Sequence, residues 1–260
     1  MAAIDPAVRE LFGEPPYEAR LLAAVTNTAA PLTIVFVLLR YTDMRRRAAE
    51  ARADELLTNA IPRSIATRLK RGEQRIAEIY PDTTVLFADI VGFTPWANGI
   101  GPDRVVGLLD DLFTRFDGVA AACGMEKIKT MGDAYMAVAG APVPRADNAE
   151  AALRTARAML GAVAEWRAEH GVALEVRIGL ASGAVVGGVI GQRRILFDLW
   201  GDTVNTASRM EAFGAPGRIQ VSGATWERLR VAQEFEPRKL DVKGLGVVTT
   251  YLLAEGADGG

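Results

Sequence analysis

Apolar residues are distributed along the chain in three different ways. From Leu21 to Leu39 no side chain is charged, and Arg40 and the cluster Arg45, Arg46, Arg47 follow. An uncharged apolar run flanked by basic residues reads as a single helix crossing a bilayer, with the basic flank on the cytoplasmic side. Thr26, Asn27, Thr28 and Pro31 interrupt the run, whose length is near the minimum for a crossing. The competing reading is an apolar helix packed on a partner protein or another subunit. Asp5, Glu10, Glu14 and Glu18 precede the run, unlike the basic start of a cleaved secretory signal.

The second pattern occupies Met44 to about Lys70, a stretch rich in Ala, Arg, Glu and Leu. Ala49, Ala53, Leu56 and Ala60 recur at alternating spacings of four and three, which predicts a helix with a narrow seam suited to pairing with a copy of itself. A solvated helix lying on its own domain is the plainer alternative. Pro62 should bend or interrupt this helix, because proline lacks the amide proton a helix interior needs.

Beyond it, strand-like and helical periods alternate. TTVLFADIV reads as a buried strand from near Thr83, and Pro102 opens a helix carrying Val105, Leu109, Leu112 and Phe116 that Gly124 ends. MEKIKT and AYMAVAG read as a hairpin around Gly132 and Asp133. A second long helix is predicted from Asp147, as its cap, to His170, with Ala152, Ala156, Met159 and Val163 on one face. Strand LEVRIGLAS, a Gly-rich turn, strand RILFDLW, a helix through Asn205 and Arg209, strand RIQVS, a short helix and a closing hairpin complete the chain. This is the pattern of an α/β domain built on one mixed or antiparallel sheet.

Composition narrows the chemistry. A chain of 260 residues, half of them hydrophobic, can bury one substantial core and carry a smaller extension. The net charge of -2, with no long basic stripe, gives no reason to expect a nucleic acid polymer as partner. One cysteine, Cys123, and one histidine, His170, cannot build a His/Cys zinc cluster or a persuasive histidine-based triad. Cys123 is expected to pack in the core and His170 to end a surface helix. Catalysis, if present, runs on carboxylates, amides, cations and bound metal.

Two aspartates then stand out. Asp89 emerges from the buried run FADIVGFT, where a carboxylate is costly unless paired or bound to a cation. Asp133 occupies the predicted hairpin tip, where Gly-Asp is also an ordinary turn. The strand, helix and strand between them can bring the two together. Two hard carboxylates without histidine suit magnesium or manganese shared with substrate phosphates, and hence metal-assisted phosphoryl chemistry.

FADIVGFT, EKIKTMGDAYMAVAG and DLWGDTVNTASRME, in this order and spacing, resemble the signature segments of class III adenylate cyclases. The resemblance implies an α+β sandwich of ferredoxin-like or palm-like type over residues 76–255, preceded by an N-terminal segment at 1–40, a helical coupling or dimerisation segment at 41–75, and followed by a tail at 256–260. The helical stretch before the domain resembles the coupling helix of bacterial membrane-anchored cyclases. Those enzymes commonly have several spans, whereas this chain has at most one.

The same resemblance implies roles. Asp89 and Asp133, with the backbone carbonyl of Ile90, would hold two Mg2+ or Mn2+ ions per active site. Lys129 and Asp198 would read adenine, lysine donating to N1 and aspartate accepting from the 6-amino group. Guanine presents the reverse pattern, and guanylate cyclases of the family typically carry Glu and Cys at those two positions. Asn205 and Arg209, four apart on one helix face, would orient the ribose and stabilise charge on the α-phosphate. Lys243, in LDVKGLG, would approach the terminal phosphates. GAVVGGVIG lacks the GxxxxGK[ST] pattern and reads as a strand and turn connection.

Lys129 and Asp133 lie four residues apart on one hairpin, yet the family assigns them to opposite ends of a nucleotide. The implied assembly is a homodimer with composite sites, Asp89 and Asp133 coming from one subunit and Lys129, Asp198, Asn205 and Arg209 from the other. The implied activity is conversion of ATP to 3′,5′-cyclic AMP and pyrophosphate, at a cell membrane with the catalytic domain in the cytoplasm, or wholly in the cytoplasm if Leu21–Leu39 does not span. A guanylate cyclase, or a catalytically silent nucleotide-binding module on the same fold, is the alternative.

Overall fold

A computed structural model describes residues 16–73, 75–191, 195–231, 234–242 and 246–254. The chain divides after Leu57 into two units. The first is dominated by α1 (Tyr17–Ala60), one helix of 44 residues. It runs unbroken past residue 40, where the sequence suggested a boundary, and through Pro31. The hydroxyls of Thr26, Thr28 and Thr33 donate to the carbonyls of Leu22, Ala24 and Ala29 at 2.9, 2.9 and 2.8 Å. These polar groups are therefore satisfied within the helix and do not interrupt it. Every side chain from Leu32 to Leu39 is exposed, and α1 is long and apolar enough to cross a membrane by length and composition.

The helix ends where expected. Ile61 and Pro62 break it, and α2 (Arg63–Lys70) restarts with Ile65 and Ala66 fully buried. In the predicted seam, Ala49, Ala53 and Ala60 are exposed, while the side chain of Leu56 lies outside the described residues.

The second unit contains β1 (Ala77–Val91), α3 (Phe93–Ala97), α4 (Pro102–Ala122), β2 (Glu126–Met131), β3 (Ala134–Ala139), α5 (Asn148–His170), β4 (Glu175–Ile190), β5 (Leu196–Trp200), α6 (Asp202–Ala212), β6 (Ile219–Ser222), α7 (Gly223–Trp226), β7 (Phe235–Val242) and β8 (Gly246–Leu253). The strands form one mixed sheet ordered β2-β3-β1-β4-β6-β8-β7, with β5 pairing β4. Among the described residues only β4 and β6 pair in parallel; the other pairings are antiparallel. This is the α+β arrangement expected from the sequence.

Strand alternation explains the continuous apolar run in β1. Leu86, Ala88 and Ile90 join Tyr135, Ala137, Ile178 and Leu180 in a core with Leu112 and Phe116 of α4 and Ala152, Ala156 and Met159 of α5. The intervening Val85 and Phe87 are also buried, on the opposite face. Polar groups inside the sheet find partners: the Thr84 hydroxyl donates to Asn148 Oδ1 at 2.8 Å and lies 2.7 Å from that of Ser182.

Four local expectations need correction. β1 begins at Ala77, not near Thr83, because the pairing with β4 shifts register between Tyr80 and Thr83 and then resumes. Residues 183–190 of GAVVGGVIG form the second half of β4 instead of a Gly-rich turn, and only Gly191 lies beyond the strand. A side-chain carbon on Gly187 would come within 2.6 Å of the Tyr80 ring, and one on Gly188 within 2.8 Å of the Ile76 carbonyl, so these glycines permit close packing. Asp147 precedes α5 but does not cap it with its side chain; Arg145 and Arg154 hold its carboxylate at 2.8 and 3.0 Å. Cys123 is only half-buried, at the C-terminal end of α4. His170 does end α5 and contacts Asp111 at 2.9 Å.

Candidate active site

Asp89 lies two residues before the end of β1, on the face shared with Phe87. Its register partners are Ala134 on β3 and Arg177 on β4. Asp133 immediately precedes Ala134 in the β2–β3 turn, which Gly132 makes possible with φ 66. The sheet thus delivers both carboxylates to one corner, as the sequence suggested. Burial raises the pKa of Asp133, and the charge of Asp89 raises it further.

Two groups in this corner were not anticipated. Arg177 donates through Nη2 to Asp89 Oδ2 at 3.0 Å, and the same nitrogen lies 3.0 Å from Glu211 Oε1. Its Nη1 donates to the carbonyl of Ala212 at 3.3 Å. Glu211 is nearly buried on α6; burial first, and then the charge of Asp89, push its carboxyl up to about 7. In the sequence, Arg177 is one polar residue within a strand and Glu211 one of several on a polar helix face. Strand alternation alone does not reveal that Arg177 stands opposite Asp89; the β1–β4 register does.

Gly179 sets the approach of α6 to this corner. A methyl group there would lie 2.0 Å from the Glu211 backbone nitrogen and 2.6 Å from the Ala207 carbonyl. The helix therefore rests directly on β4. Its buried side carries Thr203, Ala207 and Met210, leaving Asn205 exposed and Arg209 half-buried. Neither of those two side chains hydrogen-bonds to another group among the described residues.

Lys129 and Asp198 form the second cluster. Lys129 on β2 donates through Nζ to Asp198 Oδ2 of β5 at 2.5 Å, while Asp198 Oδ1 accepts from the Leu199 amide at 2.8 Å. Asp198 is almost fully buried, so its charge requires these partners. The Ile90 side chain belongs to the core, which leaves only its backbone to act at the site. Lys243 lies outside the described residues.

The donor set fits a hard divalent cation. Asp89 and Glu211 present carboxylate oxygens to one guanidinium, and Asp133 lies close enough to feel the charges of Asp89 and Arg177, so carboxylates outnumber cations here. Among the described residues no three acidic, histidine or cysteine side chains gather tightly enough to hold an ion alone. Waters, or phosphate oxygens when a nucleotide is present, would therefore complete the coordination of an ion on Asp89 and Asp133.

Residues 76–255 match the family described as adenylate and guanylate cyclase catalytic domain. An adenylate cyclase of Mycobacterium tuberculosis is 42% identical over 240 residues, covering 90% of this chain and 54% of that protein. The chain thus spans about half the length of that relative. Among solved structures, the catalytic core of a rhodopsin-guanylyl cyclase with converted specificity, in complex with ATPalphaS, is 36% identical with a TM-score of 0.63 over 68% of this chain and 97% of that one. The adenylyl cyclase CyaB from P. aeruginosa is 26% identical with a TM-score of 0.64, over 71% of this chain and 100% of that one.

Proposed function

Because this chain belongs to the adenylate and guanylate cyclase catalytic domain family, we propose that it converts ATP to 3′,5′-cyclic AMP and pyrophosphate. The observation that carries the choice of base is the Lys129–Asp198 pair, drawn together from β2 and β5 at 2.5 Å. A lysine donor beside a carboxylate acceptor complements N1 and the 6-amino group of adenine, whereas guanine offers a protonated N1 and a 6-oxo group. The guanylate alternative therefore lacks a matching edge reader here.

Asp89 and Asp133, with the Ile90 carbonyl, would hold two Mg2+ or Mn2+ ions with the triphosphate. When bound, such ions lower the pKa of the ribose 3′-hydroxyl and neutralise phosphate charge. The 3′-oxygen gives its proton to solvent and bonds to the α-phosphorus as the bond from that phosphorus to the α,β-bridging oxygen breaks and pyrophosphate departs. Asn205 orients the ribose, and the Arg209 guanidinium faces charge developing on the α-phosphate. Their lack of side-chain partners among the described residues suits groups kept available for a ligand. Lys243 would serve the terminal phosphates.

The active unit is a homodimer with two composite sites, in which one copy supplies Asp89 and Asp133 and the other Lys129, Asp198, Asn205 and Arg209. Helix α1 anchors the chain at a membrane, with the catalytic domain in the cytoplasm.

The test measures cyclic nucleotide formed from ATP and GTP in parallel with Mg2+ or Mn2+. ATP turnover should dominate; comparable turnover of both defeats the base assignment. Asp89→Ala and Arg209→Ala should each be inactive alone, and mixing them should recover part of the activity. No recovery despite demonstrated mixed dimers would refute the shared sites.

A further inference from the structure

The Arg177 guanidinium is the cation that Asp89 already has. Any divalent ion arriving at Asp89 meets a positive charge 3.0 Å from the carboxylate oxygen it needs. Two cations facing one carboxylate repel each other unless one has another anion to move to. Glu211 supplies that anion, 3.0 Å from the same Arg177 nitrogen, on a helix seated against β4 at Gly179.

A second observation gives the direction of the move. Arg177 Nε is buried without a hydrogen-bond partner, and Glu211 Oε1, although 3.0 Å from Nη2, is not aligned to accept a hydrogen bond from it. Buried polar atoms left unpaired cost free energy. A small turn of the guanidinium toward Glu211 would let Nε donate to Oε1 and satisfy both as the contact with Asp89 loosens.

From this geometry we infer that Glu211 is a positioning residue for the cation site: it draws Arg177 aside, so that a divalent ion can become the counter-ion of Asp89. This rests on the reading that Asp89 binds metal. The plainer role for the pair is a clamp tying α6 to β4, which the Arg177 bond to the Ala212 carbonyl also serves.

The experiment is Mn2+ binding to the intact, nucleotide-free protein at mildly alkaline pH, followed by the electron paramagnetic resonance of free Mn2+. Circular dichroism melting checks that each variant is folded. Glu211→Gln should weaken binding about fivefold, the scale of one ion pair, because Arg177 then belongs to Asp89 alone. In an Arg177→Met background the same change should have no effect, since the competing cation is gone. Arg177→Met alone should tighten binding; a weakening by that change would identify a clamp and overturn the inference, as would an equal Glu211→Gln loss in both backgrounds, which would mean that Glu211 acts without Arg177, or no loss in the wild-type background. Should Glu211→Gln not fold, Glu211→Asp retains the charge on a shorter stem and should show a smaller loss with the same dependence on Arg177. Asp89→Asn separates the two claims: if it leaves Mn2+ binding unchanged, the metal assignment itself fails, and if it alone weakens binding, only the role of Glu211 does.

Discussion

At the scale of single residues, the two clusters differ in how their charges are managed. Lys129 and Asp198 neutralise one another within the chain, so a base must enter between a donor and an acceptor already in contact. Exchanging them as Lys129→Glu with Asp198→Cys should reverse the hydrogen-bonding pattern and move the ATP to GTP preference by at least about tenfold toward GTP, measured as the ratio of kcat/KM values. Glu211 manages its charge differently. Its carboxyl titrates at about 7 in the folded chain against an ordinary 4.5, because burial disfavours the ionised form. Between those two pH values the folded state holds more protons than the unfolded one. The stability of the metal-free protein should therefore fall as pH rises through this window. Urea midpoints across the range would show this slope, and Glu211→Gln should flatten it.

At the scale of elements, the position of α6 depends on one missing methyl group. Gly179→Ala would drive a carbon into the Glu211 backbone, and the helix carrying Asn205, Arg209 and Glu211 would have to shift. The expected cost is about 2 kcal/mol of stability, read as a lowered Tm, together with a loss of turnover larger than any loss of folded protein. Much of this architecture was legible beforehand because period and punctuation agree. Pro102 and Gly124 bracket α4, and Gly132 with Asp133 turns the hairpin. The readings that failed did so where tertiary contacts overrule local signals. Tyr80, Pro81 and Asp82 resemble a turn yet lie inside β1, and the glycines of β4 mark contacts with Tyr80 and Ile76 instead of a loop. Asp89, Asp133, Lys129 and Asp198 could be singled out as candidates because their motifs are distinctive, and the fold places them in two pairs. Arg177 and Glu211 were not singled out because they reach Asp89 only through register and helix seating, which no local pattern encodes.

At the scale of the whole molecule, α1 bears on where the chemistry would happen, because it is long and apolar enough to cross a membrane. If its apolar stretch spans a bilayer, the intact protein should stay in the membrane pellet after an alkaline carbonate wash, whereas release into the supernatant would indicate peripheral attachment. The unbroken course of α1 also makes it a shaft with an angular setting. Each residue of an α-helix advances its phase by about 100°, and 44 residues extend about 66 Å. Adding seven residues between Arg47 and Ala60 would alter the phase by only about 20°, whereas adding two would turn it by about 200°. If the helix sets how two catalytic domains face one another, cyclic AMP production should follow that angle and not the added length. The seven-residue insertion should keep most of the activity and the two-residue insertion should lose it, making the enzyme's output a periodic function of linker length.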